Sequence, residues 1–326
     1  MRAVICSELG PPSLLTIEER PDLMARSGQV VVAVEAAGVN FVDGLFIAGR
    51  YQIKPALPFT PGGEIAGRIA ALGEGVAGLE VGQRVLANIG LGGYASQVAI
   101  PALAAVPLPA EDVLSSAQAA TFVQSFCTCL YALRDRAHVE PGQSVLVLGA
   151  GGGIGLAAIA VARALGCRVI GAASSEEKRA AALAAGAEAV IDSAPDSLKD
   201  KVRAWSGGTG VDVVIDPIGG PAAEPSLRAL GDGGRYAVIG FASGTIASLP
   251  MNQVLLRNRT VLGIDWGVWS MQHGPEQMAL LTDLLAMVAE GRITPIEPAS
   301  YALEDVSRAL EDLLARRIVG KVALIP

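Results

Sequence analysis

The sequence predicts an α/β protein that pairs a doubly wound parallel sheet with a second, β-rich domain. Three observations carry that prediction. At 326 residues the chain is long for one hydrophobic core, so two domains are expected. From Ser144 onward, short apolar runs alternate with helical segments. Strands that are apolar along their whole length belong to a parallel sheet covered on both faces. Before about residue 115 the pattern is short strands broken by glycine turns, which suits a compact, partly closed β structure.

The elements follow in order. "MRAVICSELGPP" reads as a first strand, without the long apolar region and small-residue cleavage site of a secretory signal. "QVVVAVEAAGVN" has a β-branched core from Val30 to Val34, and "GEIAGRIAALGEGVAGLEVGQRVLA" alternates apolar segments with glycines. Then come strand "SVLVLGA", helix Ile154–Gly166, strand "RVIGAAS" and helix "SEEKRAAALAAG". Strand "EAVID", helix "PDSLKDKVRAWSGG", strand "VDVVIDPIG" and helix Ala222–Leu230 continue the alternation, and strands "GRYAVIGFA" and "RTVLGID" close it. Six such strands make a Rossmann-type sheet. Two amphipathic helices follow, and the last strand, "GKVALIP", is expected to rejoin the first domain because the six-strand unit is complete without it. The expected boundaries are 1–122 and 266–326 for the β-rich domain and 123–265 for the Rossmann domain.

Composition narrows the function. Residues are 51% hydrophobic and 17% charged, as in a packed globular protein. No apolar run reaches the roughly 18–20 residues of a membrane span. A net charge of −7 without a basic stripe argues against nucleic acid as a partner. Four scattered cysteines, Cys6, Cys127, Cys129 and Cys167, fit a reduced, cytoplasmic protein.

The segment "SVLVLGAGGGIGLAAIAVARALG" carries the chemistry. A strand feeds a glycine-rich turn and a helix leaves it, so unpaired N–H groups and the positive end of the helix dipole face an approaching anion. The spacing Ala150-x-Gly152-x-x-Gly155 suits a pyrophosphate; the competing reading is a loop that only packs helix on strand. An NAD site places an acidic residue at the end of the next strand. That position falls near Ala173, followed by Ser174, Ser175, Lys178 and Arg179. Hydroxyls and a cation suit a 2′-phosphate, which favours NADPH; a solvated helix face is the alternative for Lys178 and Arg179.

The segments "AAGVNFVDGLFIAGRY", "LPFTPGGEIAGRIAALGEGVAGLEVGQRV", "GGYASQVAI", "DPIGG", "GFASG" and "GKVALIP" occur in an order that resembles the medium-chain dehydrogenases/reductases. Within them the chain is most similar to the zinc-independent NADPH:quinone oxidoreductases, whose loop reads like A-A-x-G-G-V-G, so Ala150 fits that branch. The resemblance implies a GroES-like fold for the β-rich catalytic domain. It also implies hydride transfer from NADPH to a quinone or an α,β-unsaturated carbonyl. Zinc-dependent relatives carry a Cys where this chain has Asn40 and a His-Glu pair where it has Gly63-Glu64, whereas catalytic zinc needs about three protein ligands. No metal is therefore expected, and Cys127-x-Cys129 reads as buried thiols.

Matched motif by motif, the resemblance implies catalytic roles for Asn40, a polar contact to substrate or nicotinamide, and for Tyr51, a donor or proton relay to the developing oxyanion. A turn tie for Asn40 and a packing aromatic for Tyr51 are the alternatives. The implied cofactor contacts are Asn40, Thr128, Ala150, Gly152, Gly153, Ile154, Gly155, Ser174, Ser175, Lys178 and Phe241, while Asp43 is expected to be structural. Ile47 stands where the family often has an Arg, and Ser193 where many members stack a Tyr on the adenosine end. The tryptophans of "DWGVWSMQHG" either line an aromatic substrate site or serve core or subunit packing. Family analogy suggests a homodimer through the strand around Arg259–Asp265. Two other functions share the scaffold: an enoyl-thioester reductase, and an NADPH-binding protein of low turnover.

Overall fold

A computed structural model describes residues 1–108 and 113–326. Strands β1 (Arg2–Ile5), β2 (Thr16–Glu19) and β3 (Gln29–Val39) lead to helix α1 (Phe41–Ile47). Strands β4 (Glu64–Leu72), β5 (Arg84–Asn88), β6 (Gln97–Pro101) and β7 (Val106–Pro107) come next. Helices α2 (Ser116–Ala120) and α3 (Val123–Leu130) follow, and α3 runs on as a wider π-helical turn over Tyr131–Arg136. Then strands and helices alternate: β8 (Ser144–Leu148), α4 (Gly153–Ala164), β9 (Arg168–Ala173), α5 (Glu176–Ala184), β10 (Ala189–Asp192), α6 (Pro195–Trp205). The alternation continues with β11 (Val211–Asp216), α7 (Ala223–Ala229), β12 (Leu230–Val238), α8 (Met251–Leu255) and β13 (Thr260–Gly263). Helices α9 (Trp266–Gln272) and α10 (Gly274–Ala289), strand β14 (Ala299–Ala302), helix α11 (Val306–Leu314) and strand β15 (Val322–Ile325) complete the chain.

Two compact units result. The first holds Met1–Gln124 and Glu297–Pro326, the second Ser125–Ile296. In the first, a seven-stranded sheet runs β14-β15-β3-β4-β5-β7, with β6 also paired to β3. Strand β15 is antiparallel to β3, as expected of a final strand that rejoins the β-rich domain. The alternating apolar positions Val30, Val32 and Val34 of β3 lie in its core with Ile65, Ile69, Val85 and Leu324.

In the second unit, six parallel strands run β10-β9-β8-β11-β12-β13. All five residues of β8 are buried, as a strand covered on both faces requires. The order reverses between β8 and β11, and at such a switch point the carboxyl ends of the strands open a ligand crevice.

The segment 266–296, expected with the β-rich domain, belongs to the second unit instead. The reason is aromatic and polar packing on the extension of α3. The Trp269 ring stacks on Tyr131 at 4.5 Å and on His273 at 5.2 Å. Arg134 pairs with Asp283 at 2.8 Å, and the Gln277 amide donates to Cys127 Sγ at 3.4 Å. Trp266 is buried and donates its indole N–H to Gln277 at 2.7 Å. These tryptophans thus pack within the unit. Among the described residues, no helix is long and apolar enough to cross a membrane.

Candidate functional site

In the second unit, the turn after β8 is built for close approach. Gly149 carries the positive φ, +60°, that the turn needs. Ala150 does not: its N–H donates to the Ala172 carbonyl, and its buried Cβ abuts Gly171. A side chain is tolerated at position 150 because it points into the sheet. A Cβ on Gly155 would come within 2.7 Å of Ala150 Cα, and closer still to the Gly149 carbonyl, so only glycine lets α4 seat on the turn. A Cβ on Gly151 would meet the Lys178 stem at 2.7 Å, which puts Lys178 against the loop.

Gly152, Gly153 and Ile154 form the accessible part of the loop, while Ala150, Gly151 and Gly155 are buried. The first intrahelical bond of α4 runs from Leu156 N–H to the Gly152 carbonyl. The N–H groups of Gly153, Ile154 and Gly155 therefore precede the helical ladder and are the donors an anion would find. This open cradle at a twelve-residue helix fits a pyrophosphate.

Strand β9 ends at Ala173, buried and uncharged. Ser174 and Ser175 follow, both exposed; the Ser175 hydroxyl caps α5 by accepting from Lys178 N–H at 3.3 Å. Arg179 donates to the Ala173 carbonyl at 3.1 Å and stands 4.0 Å from Asp192. After β11, Asp216 accepts from the N–H groups of Ile218 and Gly219 and from the Tyr236 hydroxyl at 2.6 Å, fixing the "DPIGG" turn. Burial and the Asp216 charge push the Tyr236 phenol up, so it stays a neutral donor. Gly219 leaves room for the half-exposed Phe241 ring. Thr128 lies on α3, whose next residue, Cys129, donates its thiol to the Ile154 carbonyl at 3.4 Å. The loop, the Ser174–Lys178 segment, Thr128 and Phe241 thus all belong to the second unit.

Asn40 and Tyr51 belong to the first unit. Register places Asn40 in a polar cluster: Val322 lies opposite Val39, and Gly38 opposite Glu64. Three strand ends thereby bring Lys321, Asn40 and Glu64 together. The Asn40 amide donates to Glu64 Oε2 at 2.7 Å and accepts from the Lys321 ammonium, which lies 3.7 Å from Glu64. The other Glu64 oxygen accepts from Gln124 N–H at 2.7 Å. Asp43 Oδ2 accepts from Asn40 N–H at 2.7 Å and from the Tyr94 hydroxyl at 2.8 Å. Burial pushes the Asp43 carboxyl up to about 6 against the pull of those two bonds. Glu64, Tyr94 and Lys321 are partners that motif reading missed; the only sequence signal was their presence in the segments "GGEIAG", "GGYASQ" and "GKVALIP". Tyr51 is half-buried against Phe46, ring centroids 4.7 Å apart. Ile47, buried in the core, leaves that position without charge.

A Rossmann unit with an open glycine cradle, joined in one chain to a GroES-like β unit, defines an oxidoreductase of the medium-chain dehydrogenase/reductase class. Residues 26–110 match the family model described as alcohol dehydrogenase GroES-like domain, and residues 153–286 the model described as zinc-binding dehydrogenase. Quinone oxidoreductase-like protein 2 of Bos taurus is 38% identical over 324 residues, covering 99% of this chain and 92% of that one. The structure of Escherichia coli quinone oxidoreductase complexed with NADPH aligns over 100% of both chains at 30% identity, TM-score 0.88. A structure of an NAD-dependent alcohol dehydrogenase also covers 100% of both chains at 30% identity, TM-score 0.91, so backbone shape does not separate the two chemistries. The chain belongs to the quinone oxidoreductase family of that class.

Proposed function

We propose that this protein is an NADPH-dependent oxidoreductase that reduces a quinone or an α,β-unsaturated carbonyl without a metal. The observation that carries the cofactor choice is the end of β9: a buried, neutral Ala173, then Ser174, with the Lys178 stem packed on the loop at Gly151. No carboxylate stands at Ala173 to accept from a ribose hydroxyl, and a cation lies beside the loop. The structures of relatives complexed with NADPH support the same choice.

When bound, the reduced nicotinamide supplies a hydride; the protein's part is to bind, orient and donate hydrogen bonds. The N–H groups of Gly153, Ile154 and Gly155 hold the pyrophosphate. Ser174, Ser175 and Lys178 take the 2′-phosphate, with Thr128 and Phe241 as further cofactor contacts. Asn40 offers its amide to substrate or nicotinamide, and Tyr51 passes a proton to the oxygen on which negative charge develops. The donor chemistry supports a metal-free reaction: an amide stands at position 40 and glycine at position 63, and the Asn40 amide is bonded to Lys321 and Glu64. A quinone or enone delocalises the charge it gains, so hydrogen bonds suffice to stabilise it.

We also propose that the protein is a homodimer. Strand β13 is an edge of the six-stranded sheet, Val261 is 39% exposed, and Met251, Leu255 and Leu256 are 70% exposed or more. An apolar sheet edge of this kind needs a cover, and a second copy supplies one. Four buried thiols support a cytoplasmic setting.

The test is oxidation of NADPH and of NADH against quinones, enones and enoyl-thioesters, before and after exhaustive chelation. Turnover of quinones or enones with NADPH, unchanged by chelation, is expected. Turnover of enoyl-thioesters alone, cofactor binding without turnover, or activity lost with one equivalent of zinc would each overturn it.

A further inference from the structure

Asn40 has an amide whose two ends look alike in shape and differ only in hydrogen-bonding sense. Its nitrogen carries two N–H groups and its oxygen two lone pairs. One N–H goes to Glu64 and one lone pair to the Lys321 ammonium. Only one orientation satisfies both neighbours, because an ammonium cannot accept and a carboxylate cannot donate. The amide oxygen also faces the backbone N–H of Asp43 in the capping box that starts α1. Among the described residues the second N–H has no partner, and Asn40 keeps 6% of its surface exposed. Glu64 is itself fixed by Gln124 N–H, and Lys321, with 15% of its side chain exposed, is carried by the β15–β3 ladder.

We infer that Lys321 and Glu64 are positioning residues that lock the polarity of the Asn40 amide, so that a ligand always meets its free N–H in the same place. The inference rests on the proposed role of Asn40 in hydride transfer. Neither charged residue touches the substrate; each acts through Asn40. A reversed amide presents a lone pair where a donor is needed, which turns an attraction at the reacting oxygen into a repulsion.

Removing Lys321 alone leaves Glu64 buried without its cation and endangers the fold. The informative variant is therefore the double substitution Glu64→Gln with Lys321→Met. It removes both charges together, keeps an acceptor for Gln124 N–H, and places a new N–H donor against Asn40. That donor demands the reversed amide. The double variant is expected to fold with NADPH binding unchanged and KM for NADPH within about twofold, while kcat falls on the order of 100-fold, the scale of a lost oxyanion donor. Lys321→Arg, which keeps a cation beside Glu64, is expected to retain most of kcat. A double variant with wild-type kcat overturns the inference, as does Lys321→Arg with the low kcat of the double variant.

A second readout needs no substrate. The Asn40 side-chain amide signal, assigned in ¹⁵N-asparagine-labelled protein by its loss in Asn40→Asp, should show one proton displaced by the carboxylate bond. That displacement should persist in Lys321→Arg and vanish in the double variant; a signal unchanged in the double variant refutes the lock. If the wild-type protein turns over no quinone or enone, the proposed reaction fails while the amide spectrum still decides whether the lock exists.

Discussion

Asp43→Asn tests the electrostatics of the polar cluster. Burial raises the Asp43 carboxyl from 3.8 to about 6, even though Asn40 N–H and the Tyr94 hydroxyl both favour its charged form. A shift of about two units corresponds to about 3 kcal/mol. The sign follows from proton binding. Between pH 4 and 6 the folded protein holds this proton more tightly than the unfolded chain does. Asp43 therefore costs the fold progressively more as pH rises through that window, and the full cost stands at pH 7. Asparagine at position 43 keeps an acceptor for both donors and removes the titration. Its added NH₂ imposes a penalty that does not depend on pH. The stability of the variant relative to wild type should thus improve by about 2–3 kcal/mol from pH 4 to pH 7. Urea unfolding read by pulse hydrogen exchange on peptides from β3 and β4 measures it. Tryptophan fluorescence would not, because Trp205, Trp266 and Trp269 all lie in the second unit. A relative stability that stays constant across this pH range refutes the assignment.

Other consequences can be checked directly. Gly155→Ala pushes a methyl into the backbone of Gly149 and Ala150, so a loss of about 1–3 kcal/mol in thermal or urea unfolding is expected, together with weaker NADPH binding by calorimetry. Lys178→Ala should raise KM for NADPH about tenfold or more, the worth of a charge-assisted bond, and leave KM for NADH nearly unchanged; equal effects on both cofactors would remove Lys178 from the 2′-phosphate site. Val261→Lys puts a charge on the exposed face of β13; for the proposed dimer through that strand, light scattering is expected to report a dimer for wild type and a monomer for the variant, and an unchanged mass refutes that interface.

The six parallel strands were legible because their signal is local: short runs of four to nine residues built on Val, Ile, Leu and Ala, followed by a turn or a helix. The cofactor loop was legible for the same reason, except in one detail. Its spacing points at Ala150, whereas Gly149 makes the turn, and glycines on both sides of Ala150 give the sequence no means of choosing. The partners of Asn40 were not legible. Lys321 comes 281 residues later and reaches it only through the register of β15 on β3. Helices α9 and α10 were legible as apolar faces but not as members of the second unit, since what holds them is a set of single contacts to Tyr131, Arg134 and Cys127.

The register that carries Lys321 also sets an order of assembly. The second unit is one continuous stretch, so it can fold from consecutive segments, while the first must wait for β15 to reach β3 across it. Until then the end of β3 from Ala37 to Val39 lacks its neighbour on that side, and Glu64 lacks its ammonium. A first unit without β15 has an open strand edge and an acid without its cation, two features that favour misassembly. The arrival of one late strand repairs both defects at once.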